Sequence, residues 1–332
     1  MKRRTFLRGA VAALASPITA TAEQTGKIAR VGHLLAGSLI GPGHPSAPLN
    51  DALYGTLREF GWVEGRNLVI EWRPAEGKPE CFPDLARQLV RLNVDVIIVP
   101  ACGVPLDAAR RATTTIPTVV ATCNDDLVEA GIVRSLAHPG GNITGLSKVT
   151  PELSAKRLTL LREILPSASR VGVVWDPDYS DFKADWRMLR TAAEQLKIVL
   201  HPVEVRRPTE FDAAFTALRR DRADSFLMFS DLVGWFHAKE VAEAAARSRL
   251  PGVYAFRQAA EAGGLMSYGP DIDDMFRRAG VYVHRILSGT KPADLPIDQP
   301  GRFELVINLK TASALGVTIP LPVLMRATQV IQ

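Results

Sequence analysis

The sequence predicts an α/β protein built from two doubly wound, Rossmann-like lobes. Short β-branched runs alternate with amphipathic stretches along the chain, which is the pattern of βα units around parallel sheets. Two such series are separated by a segment rich in Gly and turn formers at 138–150. The chain of 332 residues also exceeds what one hydrophobic core usually supports, so two domains are expected.

The first series predicts four βα units. Asp84 and Asp107 fall just after Pro83 and Pro105, and both residue types are favoured in the first turn of a helix. The predicted strands are 29–36, 67–73, 95–101 and 118–123, and the predicted helices are 48–60, 83–93, 105–114 and 126–137.

The second series continues the same alternation and predicts three crossings between the lobes. Its strands are 170–175, 198–205, 224–230, 252–256, 263–269 and 303–309, and its helices are 151–165, 182–197, 210–221, 235–249, 271–288 and 310–316. The crossings are expected near 138–150, 262–270 and 290–303, with 25–145 plus 266–290 in lobe I and 150–262 plus 303–332 in lobe II. This arrangement places a cleft between the carboxyl ends of both sheets, where open α/β sheets bind ligands.

The first 22 residues have the three parts of an export signal. A basic start is followed by an apolar run at 9–15 and by small residues at 20–22, which predicts cleavage there. Arg3 and Arg4 match the twin-arginine type, and a general export signal is the alternative. A membrane anchor is disfavoured, because the apolar run is far shorter than the roughly 20 residues that span a bilayer. We therefore expect a periplasmic protein from which the signal is removed.

The charge balance argues against a nucleic-acid partner. The chain has 40 basic and 35 acidic side chains, and the predicted signal contains four of the basic ones and no acidic one. The remainder is close to neutral, and basic pairs such as Arg110-Arg111 and Arg219-Arg220 stand among acids and apolar residues. They are typical of solvated helix surfaces and form no stripe along which a phosphate backbone could bind. A monomer is expected.

The motifs favour binding over catalysis. There is no Gly-x-Ser-x-Gly or His-Glu-x-x-His motif. Gly41, Gly43 and Ser46 match part of a dinucleotide motif, but the third Gly is missing and neighbouring Pro residues remove backbone donors, so no cofactor is expected. The three Cys have no metal-ligand spacing, which predicts no metal site. Cys102 and Cys123 follow strands that should be neighbours, so a bridge between them is geometrically possible, and the sequence leaves open whether it forms.

Several blocks of sequence resemble one known family. They are FGWVEGRN at 60–67, RSLAHPGGNITG at 134–145, AGGLMSYG at 262–269, KPADLP at 291–296 and FELVINLKTA at 303–312. In this order and spacing the chain resembles the ABC-transporter substrate-binding proteins that include tryptophan- and tyrosine-binding members. The resemblance implies a type I periplasmic-binding fold with three hinge strands, closure around a small solute and delivery to a membrane permease. It does not specify the solute.

Candidate ligand-binding residues in the first lobe lie just past the predicted strands. Ser38 follows the first strand, and its hydroxyl could contact the ligand. Cys102 and Gly103 begin a helix whose free backbone N–H groups suit a carboxylate, although a plain strand-to-helix turn is the alternative. Asn124 and Asp125 supply acceptors for an ammonium or hydroxyl, and for Asp125 the alternative is a helix cap.

Candidates in the second lobe occupy the corresponding positions. Asp176 and Asp231 add carboxylates, and for Asp231 no helix-facing partner is obvious. Tyr179, Trp235 and Phe256 add aromatic rings that could stack on a ring or cover a cation. For Trp235 the alternative is a half-buried ring at a helix start, and for Tyr179 a place on the surface.

The combined expectation is a carrier for an amino-acid-like or other small polar or aromatic solute. A soluble partner that presents its ligand to a membrane receptor is the nearer alternative. A two-lobed sugar-nucleotide enzyme is the more distant one, because three acids in a cleft could also perform acid–base chemistry.

Overall fold

The computed structural model describes residues 28–37, 47–148, 152–177 and 183–332. The predicted export signal, Ser38 and Tyr179 lie outside the described residues.

The first lobe is a five-stranded parallel sheet in the order β2-β1-β3-β4-β5. Its strands are β1 (Ala29–Leu35), β2 (Leu68–Pro74), β3 (Val96–Ala101), β4 (Thr118–Thr122) and β5 (Ile143–Gly145), and its helices are α1 (Ala47–Glu59), α2 (Phe82–Arg91) and α3 (Val104–Ala112). Strands β3 and β4 are buried along almost their whole length, as expected for a parallel sheet covered on both faces.

The second lobe is a seven-stranded sheet in the order β12-β11-β10-β9-β8-β6-β7. Its strands are β6 (Arg170–Trp175), β7 (Val199–Glu204), β8 (Ser225–Met228), β9 (Gly252–Tyr254), β10 (Met266–Pro270), β11 (Phe303–Asn308) and β12 (Gln329–Ile331). All pairs are parallel except β10 with β11. Its helices are α4 (Glu152–Ile164), α5 (Lys183–Leu196), α6 (Phe211–Arg220), α7 (Leu232–Phe236), α8 (Ala238–Arg247), α9 (Arg257–Glu261), α11 (Leu309–Leu315) and α12 (Leu321–Leu324).

One helix of the first lobe arrives from the far end of the sequence. Helix α10 (Ile272–Leu287) follows β10 of the second sheet and packs against α1 and β4 of the first lobe. It begins at Asp271, whose side chain accepts a hydrogen bond from the backbone N–H of Asp274 at 2.8 Å. Of the predicted lobe I segment 266–290, the strand part therefore pairs in the second sheet and the helical part packs on the first.

The chain passes between the lobes three times: from β5 to α4, from β10 to α10 and from α10 to β11. Two of these crossings are hydrogen-bonded to each other. The backbone N–H of Ser147 donates to Asp298 O at 2.8 Å, and the N–H of Asp298 donates to Gly145 O at 2.9 Å. The third lies close by, since the N–H of Asp271 donates to Arg302 O at 3.1 Å. These features confirm the predicted fold class of two doubly wound lobes joined by three crossings.

The predicted helix at 126–137 is wrong. The chain there forms successive turns: Asp126 Oδ1 accepts from the N–H groups of Val128 and Glu129, at 2.9 and 3.1 Å. The turn ends at Gly131, which has φ +65°. This left-handed conformation stops a right-handed helix after a single turn, and Gly adopts it without steric cost.

The predicted helix 235–249 also differs. It starts earlier, as α7, and is divided from α8 at His237, whose backbone leaves the helical region with φ −119° and ψ 36°.

Candidate functional site

A cavity of about 420 Å³ lies between the two lobes. The first lobe contributes residues that follow β1 and β3, together with side chains of α1 and α10. The second lobe contributes residues that follow β6 and β8. Most of the surface is apolar and aromatic. The aromatic side chains that contribute are Phe82, Trp235, Phe236, Phe256 and Phe276.

The cavity lies at the switch points of both sheets. In the first sheet β1 stands between β2 and β3, and in the second β6 stands between β7 and β8, so successive connections leave in opposite directions. At such a point the strand ends separate and leave a crevice. Gly37 and Cys102 line the cavity from the first switch point, and Asp176 and Asp231 line it from the second.

A disulfide bond joins the ends of β3 and β4. Cys102 and Cys123 are bonded, with their Cα atoms 4.9 Å apart, and Cys102 lines the cavity. Both are buried. Cys81 has a free thiol. The bridge fixes the ends of β3 and β4, which are followed by Cys102 at the cavity and by Asn124 next to it.

The second-lobe wall carries two adjoining carboxylates. Asp231 accepts hydrogen bonds on both oxygens: from Gly234 N–H at 2.7 Å, which caps α7, and from Asp176 N–H at 3.0 Å. Asp231 therefore does have a helix partner, contrary to the sequence expectation, and it lines the cavity as well. Burial raises the pKa of Asp231 to about 7; its two backbone hydrogen bonds oppose the shift, and the charge of Asp176 adds to it.

Lys148 brings an amine to the same wall. It stands on the crossing between β5 and α4, with its Nζ 3.2 Å from Ser230 Oγ and 5.0 Å from the centre of the Phe256 ring. Burial and the charge of Arg157 lower the pKa of Lys148 to about 7, against the opposing charges of Asp231 and Asp185. Lys148 and Asp231 therefore interact electrostatically in this wall.

The first-lobe wall carries a neutral polar cluster. His33 in β1 is fully buried; its Nδ1 lies 2.8 Å from the hydroxyl of Tyr54, and its ring stacks on Trp72 with centroids 5.1 Å apart. Burial lowers the pKa of His33 to about 3, so the imidazole is uncharged at neutral pH. Asn50 in α1 lines the cavity beside it.

Five of the residues predicted from the sequence line the cavity: Cys102, Asp176, Asp231, Trp235 and Phe256. Trp235 is buried, and its ring meets Phe256 edge to face with centroids 5.0 Å apart. Both rings belong to an apolar cluster made mainly of first-lobe residues, so they join the lobes.

Three further predicted residues stand next to the cavity without lining it. Gly103, with φ +76°, precedes α3. Asn124 donates from Nδ2 to Ser230 O at 2.7 Å, which links the two lobes directly. Asp125 adjoins the disulfide in the same loop. Contact of any predicted residue with a solute stays a prediction.

Sequence reasoning missed His33, Asn50 and Lys148. Each has a signal in hindsight: His33 interrupts an apolar strand, Asn50 lies on the face of α1 that carries Leu49 and Leu53 to the core, and Lys148 is a cation within a crossing. Such signals become informative only once α1 is known to pack over β1.

Across residues 28–37, 47–148, 152–177 and 183–332, no helix has the length and apolar character needed to cross a membrane.

Two doubly wound lobes with three crossings and a ligand-sized interlobe cavity define the protein as a type I periplasmic-binding protein. More specifically, the chain belongs to the ABC transporter substrate binding protein family, whose model matches residues 44–331. A tyrosine-binding protein of Clostridioides difficile is 27% identical over 277 residues, which are 82% of this chain and 78% of that protein.

Solved structures agree with this assignment. A conserved domain protein from Vibrio cholerae is 30% identical with a TM-score of 0.81, covering 92% of this chain and 100% of that chain. An ABC domain from Streptococcus pneumoniae in complex with L-Trp is 26% identical, also with a TM-score of 0.81, covering 91% of this chain and 99% of that chain.

Proposed function

We propose that this protein is an extracytoplasmic solute-binding protein that captures an aromatic amino acid, or a close analogue, and delivers it to an ABC permease. The observation that carries the proposal is the interlobe cavity, which joins aromatic walls to a small set of charged groups. Relatives described as tyrosine-binding and as an L-Trp complex support the same class of solute.

The second-lobe wall of the cavity offers carboxylates to an ammonium group. Asp176 and Asp231 line the cavity there, together with the basic side chains of Lys148 and Arg206. We place the ammonium of the solute at this wall, with Asp176 as its carboxylate partner, because opposite charges attract more strongly in an apolar cavity than in water. The rings of Trp235 and Phe256 provide apolar surface and faces that attract a cation or pack against another ring.

The first lobe has a complementary place for a carboxylate. Helix α3 begins at Gly103, directly after the cavity residue Cys102, and its first backbone N–H groups have no partner within the helix. The positive end of the helix dipole lies there and favours an anion. A solute with an ammonium toward Asp176 and a carboxylate toward α3 would bridge the lobes and so stabilise the closed form.

Export is part of the same proposal. The basic, apolar and small-residue segments at 1–22 support a removable signal. A disulfide between Cys102 and Cys123 suits an oxidising compartment outside the cytoplasm.

The proposal is tested by screening the protein, stripped of solute by unfolding and refolding, against amino acids in thermal unfolding. We expect aromatic amino acids to raise the melting temperature, and small-angle scattering to show compaction with the same solutes. If amino acids without a ring stabilise the protein and aromatic ones do not, the solute class is wrong. If stabilising solutes cause no compaction, closure is wrong.

Two variants test the contribution of the Asp176 carboxylate to solute binding. Asp176→Asn should weaken binding of the best amino acid at least about tenfold, because truncating one partner of a buried charge pair costs ~2 kcal/mol or more. Asp212→Asn is the matched control, since Asp212 is exposed on α6 and pairs with Arg247. Equal affinities of the two variants would contradict the role given to Asp176.

A further inference from the structure

Two buried polar atoms in the first-lobe wall have no hydrogen-bond partner among the described residues: His33 Nε2 and Asn50 Nδ2. Both side chains line the cavity, and their exposed fractions are 0% and 7%. Buried polar atoms are nearly always paired in folded proteins, because an unpaired one loses its hydration without compensation. Two such atoms in the wall of one cavity are candidates for hydrogen bonds to a bound molecule.

The fold brings these two side chains to the same wall of the cavity. Asn50 and Tyr54 are four residues apart on α1, so they share a face of the helix. The Tyr54 hydroxyl hydrogen-bonds to His33 Nδ1, which puts that face over β1. Stacking on Trp72 then holds the imidazole in position. His33 Nε2 and Asn50 Nδ2 are therefore presented by a pre-organised wall.

The chemistry of the two atoms suits an oxygen that accepts hydrogen bonds. Asn50 Nδ2 is a donor, and the neutral imidazole carries one N–H. When the Tyr54 hydroxyl donates to Nδ1, the imidazole hydrogen resides on Nε2, and both unpaired atoms are donors. The proposed function places the ammonium of the solute at Asp176 and its carboxylate at the start of α3, which leaves the ring end of the solute to face His33 and Asn50.

We propose that His33 and Asn50 form a subsite that hydrogen-bonds a hydroxyl on the ring end of the solute. The subsite rests on the proposed function and narrows its solute class from aromatic amino acids in general to phenolic ones. L-tyrosine and L-phenylalanine differ only by this hydroxyl, so the ratio of their affinities measures the subsite directly.

Isothermal titration calorimetry of the full mature protein with both amino acids provides the test. The wild type should bind L-tyrosine at least about tenfold more tightly, because a site with buried donors disfavours a ligand that leaves them unpaired. Asn50→Leu and His33→Phe should reduce this preference to about twofold or less and leave L-phenylalanine binding within about threefold. His201→Phe is the matched control: His201 Nε2 is also buried and unpaired, but it lies in β7 away from the cavity.

The apo protein supplies a second measurement. Asn50→Leu removes an unpaired polar group and should leave its melting temperature unchanged or raised. A fall of several degrees would show that Asn50 serves the fold, and would overturn the subsite.

The binding outcomes separate the two proposals. Equal wild-type affinities for the two amino acids overturn the subsite and leave the proposed function intact. Binding of neither amino acid overturns the subsite, and if L-tryptophan also fails to bind, the proposed solute class is overturned with it. If a variant keeps the tenfold preference for L-tyrosine over L-phenylalanine, the substituted residue is not part of the subsite.

Discussion

Breaking the disulfide between Cys102 and Cys123 should destabilise the first lobe by an amount that follows from its loop. The bridge closes a loop with a sequence separation of 21 residues. In the chain-entropy model, a cross-link over a loop of this length lowers the conformational entropy of the unfolded chain enough to contribute about 3 kcal/mol at 25 °C. Both half-cystines are buried and the bridge joins adjacent strand ends, so we expect the folded lobe to keep its packing when the bond is reduced.

The assay is guanidinium unfolding followed by tryptophan fluorescence, with and without a reducing agent. The reduced protein should unfold at a lower denaturant concentration, and the double variant Cys102→Ala, Cys123→Ala should no longer respond to the reductant. Cys81→Ser is the control, because Cys81 has a free, partly buried thiol and the difference between the two conditions should persist.

Alkylation measured by mass spectrometry of the denatured but unreduced protein checks the bond itself. One labelled thiol is expected before reduction and three afterwards. Two or more labels on the unreduced protein, or identical unfolding curves in both conditions, would refute the reasoning.

Two further predictions concern pH and packing. Because the folded pKa of Asp231 is about 7 and an unfolded Asp titrates near 4, Asp231 holds an extra proton in the native state between these values, so its contribution to stability should fall as pH rises from about 4 to 7. His33, with a folded pKa of about 3, contributes in the opposite direction over nearly the same range, so the contribution of Asp231 is measured as the difference between the wild type and Asp231→Asn. Asp231→Asn should lose this dependence, and a variant curve parallel to that of the wild type in urea unfolding would contradict it. Gly280→Ala should lower stability by about 1–3 kcal/mol, because its Cβ would lie 2.6 Å from Leu53 O. Gly55→Ala has open space and should raise stability by ~0.5–1 kcal/mol, so thermal unfolding shifts of the same sign would refute the packing argument.

The strands and most helices of both sheets could be predicted because local pattern and tertiary environment agree. Strand β3 is apolar on both faces and is buried on both faces. At 126–137 the local pattern and the observed structure disagree. The apolar spacing fits a helix, but the Asp126 side chain accepts hydrogen bonds from nearby backbone N–H groups and Gly131 reverses the chain. Strand β12 went unpredicted because it is short and largely exposed, so it has little hydrophobic pattern.

The residues of the candidate site also fall into those that the sequence could predict and those that it could not. Topology alone places residues that follow a strand, which is why Cys102, Asp176 and Asp231 were identified as candidates and line the cavity. His33 lies within a strand and Asn50 within a helix, and neither position marks a site by itself. They reach the cavity because α1 packs across β1, and that packing depends on the whole first lobe, including a helix about 220 residues further along the chain.

The three crossings would act together as a hinge between the two lobes. Two of them define an axis of rotation and the third opposes twisting, and the backbone hydrogen bonds of Asp298 with Ser147 and Gly145 hold two of the crossings together. Side chains close to this hinge, Lys148 among them, should move little as the lobes open and close, whereas residues at the outer edge should move far. The opening angle would then depend on the size of the solute, and under the proposed function a permease would recognise that angle on a surface remote from the solute itself.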